Sequence, residues 1–486
     1  MEKVNESSQT CFHRQLARRQ WLHQSACGFG ALAASALLDR PASVRAVEPT
    51  SGKAIERTLH HAPKAKRIIF LFMQGGVSQV DSFDYKPLLA QQEGKSFTFN
   101  DSRQLAKIGK ATSHRVMRSP WRFQQFGQSG RMVSELFPNV ANHIDDLTLI
   151  HGMHTEGVAH GPATLFLHCG ATNLVRPSMG SWVLYGLGSE NENLPGFISI
   201  APSIGNGGPR NYGNAFLPTQ FQGTRLGIAG SDDLEIANLE PLDADFEKAR
   251  QRRELLKQIN RQQVDRRTPL ANELEAALDS YEMAWKMQTD GAEWLDISNE
   301  TDYTLRMYGI DCPKTAGYGR KCLMARRLCE AGVRFIQVNY GDNSANPAWD
   351  QHSNIEKHAE HALSVDKPIA GLLADLKQRG LLEDTIVWWG SEFGRTPYAQ
   401  DNGTGRDHNP VGFTVWLAGG GFRAGYSHGQ TDDFGFEAIQ GKVHMHDLHA
   451  TILHQLGLDH QRLTYPYSGR DFRLTDVHGR IIHHLS

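Results

Sequence analysis

A continuous apolar run at 68–73 and similar short, mainly apolar runs at 147–150, 333–338, 385–389 and 413–417 mark this chain. Strands buried on both faces of a parallel sheet read this way, whereas a sheet with one wet face alternates apolar and polar positions. Several runs follow helical patterns. Ile369, Leu372, Leu373 and Leu376 share one helix face ahead of Gly380, a residue whose tolerance of positive φ suits a helix C-terminus. Helix then strand, repeated, predicts an α/β fold with a doubly wound, mostly parallel sheet covered on both faces. The run 68–73 ends in Gln74-Gly75-Gly76 and reads as the first core strand. Leu255, Leu256 and Ile259, then Leu274, Leu278, Tyr281 and Trp285, recur at helical spacing around Thr268-Pro269, predicting a helical hairpin inserted near 246–290.

The N-terminus changes the picture of where the chain works. Arg18-Arg19-Gln20-Trp21-Leu22 precedes a short run of small and apolar residues, and Ala46 with Val44 fits a cleavage site. This is the form of a twin-arginine export signal over 1–46, predicting a periplasmic or extracellular protein. No later stretch is apolar enough to span a membrane in the mature form. Lys and Arg total 51 against 53 Asp and Glu, so no global field favours nucleic acid or an anionic membrane. Cys169, Cys312, Cys322 and Cys329 remain after cleavage and show no C-x-x-C spacing for zinc or thioredoxin chemistry. The 23 histidines raise the prior for a metal site, because imidazole is a common ligand.

The chemistry concentrates in the last third. A helix over 355–379 and the strand 385–389 lead to Gly390-Ser391-Glu392-Phe393-Gly394, so Glu392 stands at a strand's carboxyl end, where doubly wound sheets hold ligands. This stretch resembles the sulfatase branch of the alkaline phosphatase superfamily, whose strand ends in S-D-H-G with metal-binding Asp and His. The run V-H-M-H-D-L-H-A-T-I-L at 443–453 resembles that family's closing D-x-x-P-T helix, and Phe137-Pro138-Asn139-Val140 its T-P-N-L opening. His160-Gly161-Pro162-Ala163-Thr164 is similar to the nucleophile motif C/S-x-P-S-R, with Pro162, Leu167 and Gly170 in place. His160 stands where that family has Cys or Ser, so formylglycine is not expected. The twin arginine together with G-G-V-S-Q-x-D, R-P-S-M-G-S, W-D-x-H, S-E-F-G-R-T-P and G-R-D-H resembles the exported domain-of-unknown-function 1501 family. The resemblance covers roughly 60–460 as one domain, leaving 461–486 as a C-terminal extension.

What the resemblance implies is a sulfatase-like or phosphatase-like metal-dependent ester hydrolase acting on a small-molecule or glycan ester. Trp349-Asp350-Gln351-His352 and Arg406-Asp407-His408-Asn409-Pro410 resemble ligand segments of the phosphatase and phosphomutase branches. They suggest one divalent ion on Asp350, His352, His408 and Glu392, with Zn, Mn or Fe suited to such mixed donors and Ca or Mg left open. Phe393 stands where that family has a ligating His. His160 is open to three roles: nucleophile, ligand or general acid and base. Ser178 resembles a phosphomutase serine and equally suits a helix N-cap. Arg176 and Arg395 are the expected clamps for a tetrahedral ester, since guanidinium pairs two oxygens at once. Glu392 could instead pair with Arg395. The rival reading is a non-catalytic binding or scaffold protein on a degraded fold of this kind.

Overall fold

The computed structural model describes residues 59–99, 112–231, 296–344, 346–400 and 403–486, with isolated positions between 234 and 294. The expected export signal and the helical hairpin near 246–290 lie outside these continuous stretches. Nine strands form the main sheet: β1 (Arg67–Met73), β2 (Leu147–His154), β3 (Phe197–Ile200), β4 (Thr224–Leu226), β5 (Phe335–Tyr340), β6 (Thr385–Gly390), β9 (Phe413–Ala418), β10 (Tyr426–His428) and β11 (Val443–His444). A separate hairpin, β7 (Gly394–Ala399) and β8 (Arg406–Asn409), stands between β6 and β9 in sequence. The main order is β10-β2-β9-β6-β1-β5-β3-β4, with β11 beside β2. Strand β9 is antiparallel to both its neighbours, and every other pairing in the sheet is parallel.

Among the described residues, the five α-helices of nine residues or more are α1 (His160–Cys169), α2 (Met179–Leu187), α3 (Pro313–Glu330), α4 (His358–Gln378) and α5 (Met445–Gln455). Successive residues of a strand face opposite ways, and β1 shows the result. Ile69, Leu71 and Met73 join a core with Leu323 and Leu328 of α3 and Ile369, Leu372 and Leu376 of α4. Ile68, Phe70 and Phe72 join the other core with Leu167 of α1, Trp182 of α2 and Ile452 of α5. The apolar runs are continuous because both faces are buried. Each fully buried aliphatic or aromatic side chain contributes about 1.5–3 kcal/mol, which makes these two layers the main source of stability. Ile482 and Leu485 of the C-terminal segment are buried in the second core. The four described cysteines are free, and Cys322 and Cys329 pack on α3. No helix among the described residues is long and apolar enough to cross a membrane.

Candidate metal centre

Five chain segments meet at the carboxyl edge of the sheet, where strand ends present unpaired backbone groups and side chains to one cleft. After β1 the chain turns at Gly75 and Gly76, with φ of +117° and +86°. A Cβ on Gly75 would lie 2.7 Å from the amide nitrogen of Trp349 and 2.8 Å from that of Asp350. Glycine is therefore required for the turn and for the close approach of the loop that carries Asp350. The Gly75 amide donates to the Glu392 carboxylate at 2.9 and 3.1 Å, and the Gly76 amide donates to Ser391 Oγ at 2.9 Å.

Asp350 is the hub. Its Oδ1 lies 2.8 Å from His352 Nε2 and 3.1 Å from His408 Nε2, while its Oδ2 lies 3.1 Å from His160 Nε2. The Nε2 atoms of His352 and His408 are 3.0 Å apart. One donor atom from each of His160, Asp350, His352 and His408 lies within 4.8 Å of the other three, and no other group of described residues meets that condition for a metal. Bonds of about 2.0–2.1 Å to a tetrahedral ion place its ligand atoms about 3.3 Å apart. The observed separations fit such an ion.

The tautomers fit as well. His160 Nδ1 is 2.7 Å from Glu392 Oε1, His408 Nδ1 is 2.7 Å from the Val158 carbonyl, and His352 Nδ1 contacts Gln400 Oε1. Each Nδ1 faces an oxygen, and a neutral ring that donates from Nδ1 would present its Nε2 lone pair on the Asp350 side. The buried His160 Nε2 has no aligned hydrogen-bond partner despite its proximity to Oδ2, the arrangement of two ligands around a common centre. Burial alone would lower the His160 pKa, but contacts with Asp350 and Glu392 outweigh it and raise the group to about 9. Burial would raise Asp350, yet the proximity of the three histidines and the Arg395 charge hold it well below the usual carboxylate range. His408 is lowered, first by burial. A proton and a metal ion thus compete for the same nitrogen, and binding of the ion would release the proton.

Several expected residues have other partners. Glu392 is wholly buried and stands behind His160, away from the four converging donors. It does not pair with Arg395, whose guanidinium is wholly buried, donates to Asp350 Oδ1 at 2.7 Å and otherwise reaches the carbonyls of Gly75, Gly76, Trp349 and Arg406. With its donors used within the protein, Arg395 is the counter-ion of Asp350 and not a clamp on the cleft wall. Arg176 lies elsewhere: it sits over Phe472 at 4.5 Å and pairs with Asp476 at 3.6 Å, in a recess it shares with Cys169. His160 opens α1 and Cys169 closes it, about 13–14 Å apart at the rise of an α-helix. Ser178 stands at the N-cap position of α2, but its Oγ meets Ser181 Oγ at 3.0 Å and caps no amide. Asp81 pairs in the interior with Arg406, at 2.7 and 3.1 Å.

The hairpin β7–β8 places His408 on a paired strand. Its turn presses on the ligand loop, with Arg406 N donating to the Gln351 carbonyl and Ile355 N to Thr404 O. Phe393 packs 4.3 Å from the His408 ring and 5.1 Å from that of His160, forming an apolar floor. Gln400 and the Val158 carbonyl, which orient two histidines, carry no sequence signal.

Solved structures similar to this chain include Ps i-CgsB in complex with k-i-k-neocarrahexaose, at 10% identity and a TM-score of 0.36, covering 81% of this chain and 72% of that one. The PsFucS1 sulfatase from Pseudoalteromonas sp. is similar at 12% identity and a TM-score of 0.34, with coverage of 81% and 68%. The alkaline phosphatase from the Antarctic bacterium TAB5 is similar at 12% identity and a TM-score of 0.29, with coverage of 74% and 92%. No curated protein matches the chain. The profile described as "Protein of unknown function (DUF1501)" matches residues 65–486, so the chain belongs to the DUF1501 family.

Proposed function

We propose that the chain is a metal-dependent hydrolase of phosphate or sulfate esters on an alkaline-phosphatase-like scaffold. Its one divalent ion would be held by His160, Asp350, His352 and His408. The observation that carries this is the convergence of three Nε2 atoms and one carboxylate, with an oxygen behind each imidazole's Nδ1. A mixed nitrogen and carboxylate set suits Zn, Mn or Fe. A bound ion of this kind supplies a water of lowered pKa and stabilises negative charge on an ester oxygen. The protein's own part is to hold the four donors in place: Arg395 keeps Asp350 ionised and oriented, Glu392 keeps His160 as the Nδ1–H tautomer, and Phe393 shields the imidazoles from water.

The test is metal content by elemental analysis together with hydrolysis of aryl phosphates and sulfates by the purified chain. One ion per chain and activity that His408→Ala abolishes along with the ion support the reading. A metal-free wild-type chain whose melting temperature ignores chelators sinks it. A second reading, a binding protein that performs no hydrolysis, is favoured by the saturation of Arg395 and the remoteness of Arg176, which remove both expected guanidinium clamps. Export is part of the proposal: Arg18→Lys with Arg19→Lys should hold the precursor in the cytoplasm, and normal export of that double variant rejects it.

A further inference from the structure

Four protein ligands close a tetrahedral site, whereas a site that works on a substrate keeps a position open. If the ion reading above holds, one of the four must be able to yield, and the surroundings of the four differ enough to say which.

The side chain of Asp350 is 2% exposed and fixed by the buried Arg395. That of His160 is 9% exposed, and its Nδ1 is held by a wholly buried carboxylate, itself held by the Gly75 amide. His408 is 13% exposed, lies on a paired strand and is held by a backbone carbonyl that cannot rotate away. His352 is different in each respect. Its side chain is 30% exposed, it sits on a loop between β5 and α4, and its Nδ1 contacts a neutral amide, Gln400, on the hairpin. His160 alone has a carboxylate at hydrogen-bond distance behind it. His352 and His408 both rest on neutral oxygens, but that of His352 belongs to a side chain free to rotate, the Asp407 carboxylate comes no nearer than 3.8 Å, and His352 is the most exposed of the three.

We propose that His352 is the displaceable ligand: the ion stays on His160, Asp350 and His408, and water or the ester oxygen takes the coordination position that His352 leaves. This rests on the ion site proposed above. It assigns the entry side to the 350–353 loop, beside Gln400.

The experiment uses the mature chain and its His352→Ala, His160→Ala and His408→Ala variants, stripped with a chelator and titrated with Mn(II) alone. Bound ion is counted by electron paramagnetic resonance, and its exchanging water is read from proton relaxivity. His352→Ala should bind one Mn(II) with affinity reduced by no more than about tenfold and with higher relaxivity per bound ion than wild type. The other two should lose about a hundredfold or more in affinity. Equal weakening in all three variants, or a His352→Ala site whose relaxivity does not rise, overturns the assignment while leaving the ion site standing. A wild-type chain that takes up no Mn(II), Zn(II) or Fe(II) rejects the ion site itself.

Discussion

Two of the chain's groups of histidines are treated in opposite ways. At the sheet edge His160, His352 and His408 turn Nε2 toward a single buried carboxylate. Between α1 and α5, His446 and His449 turn Nε2 away, to the carbonyls of Gly170 and Leu167, and their buried Nδ1 atoms meet no hydrogen-bond partner. Burial alone pushes His168 down to about 3. Burial, followed by the charge of His446, does the same to His449 and His444. His160 is buried too, yet it is raised to about 9 by the carboxylates beside it. The lesson is that a count of histidines says little; what separates a candidate metal centre from a packed group of imidazoles is a buried acid with its own cation behind it.

The sharpest break of this contrast is Asp350→Ala. It should remove the ion entirely, and it leaves the buried Arg395 charge unpaired, a loss of about 3–5 kcal/mol readable by chemical denaturation. Unchanged metal content in that variant would erase the distinction between the two groups. Next comes acid. The folded pKa of His168 lies below the unfolded value of 6.5, so its contribution is full above pH 6.5 and is lost as pH falls toward 3, on the order of 4 kcal/mol by the lower end. His168→Leu should flatten the stability profile across that window; an unaltered slope counts against burial as the cause.

Glu392→Gln is milder. It keeps an acceptor for His160 but removes the charge, and metal affinity should fall about 10- to 100-fold while the ligand count seen by X-ray absorption stays the same. Loss of a nitrogen ligand, or no change in affinity, would show that Glu392 acts otherwise. The smallest effect belongs to the second group. His444 caps α5, accepting from His446 N, while Asp447 accepts from the His444 amide. His444→Ala should cost about 1 kcal/mol and leave metal content untouched; a fall in bound metal would join the two groups after all.

How much of this was legible in the sequence follows from how local each feature is. The strand runs at 68–73 and 385–389 and the helix at 355–379 announce themselves, because burial and periodicity are properties of consecutive residues. Asp350, His352 and His408 were readable as a group through ordered motifs. His160 was noticed for the position it occupies, yet its place among the donors depends on α1 starting beside the cleft. The exchange between Glu392 and Arg395 was not legible. Which of two buried charges each would meet is decided across the 45 positions from Asp350 to Arg395 and the 232 from His160 to Glu392. The clamp role expected of Arg176 failed for the same reason, since Phe472 and Asp476 reach it from the far end of the chain.

The topology also sets an order of events during synthesis. Strand β1 leaves the ribosome early, yet its two sheet partners are β5 and β6, and Asp81 just beyond it waits 325 positions for Arg406. Until the chain is made as far as β5, a strand apolar on both faces has no native strand beside it, and the carboxylate destined for the interior has no counter-ion until Arg406 in β8. Such long-range closure is slow and leaves adhesive surface exposed. Chains truncated between β5 and β6 should therefore aggregate or engage chaperones instead of forming half a sheet. For a protein of this design, folding is an event of the completed polypeptide.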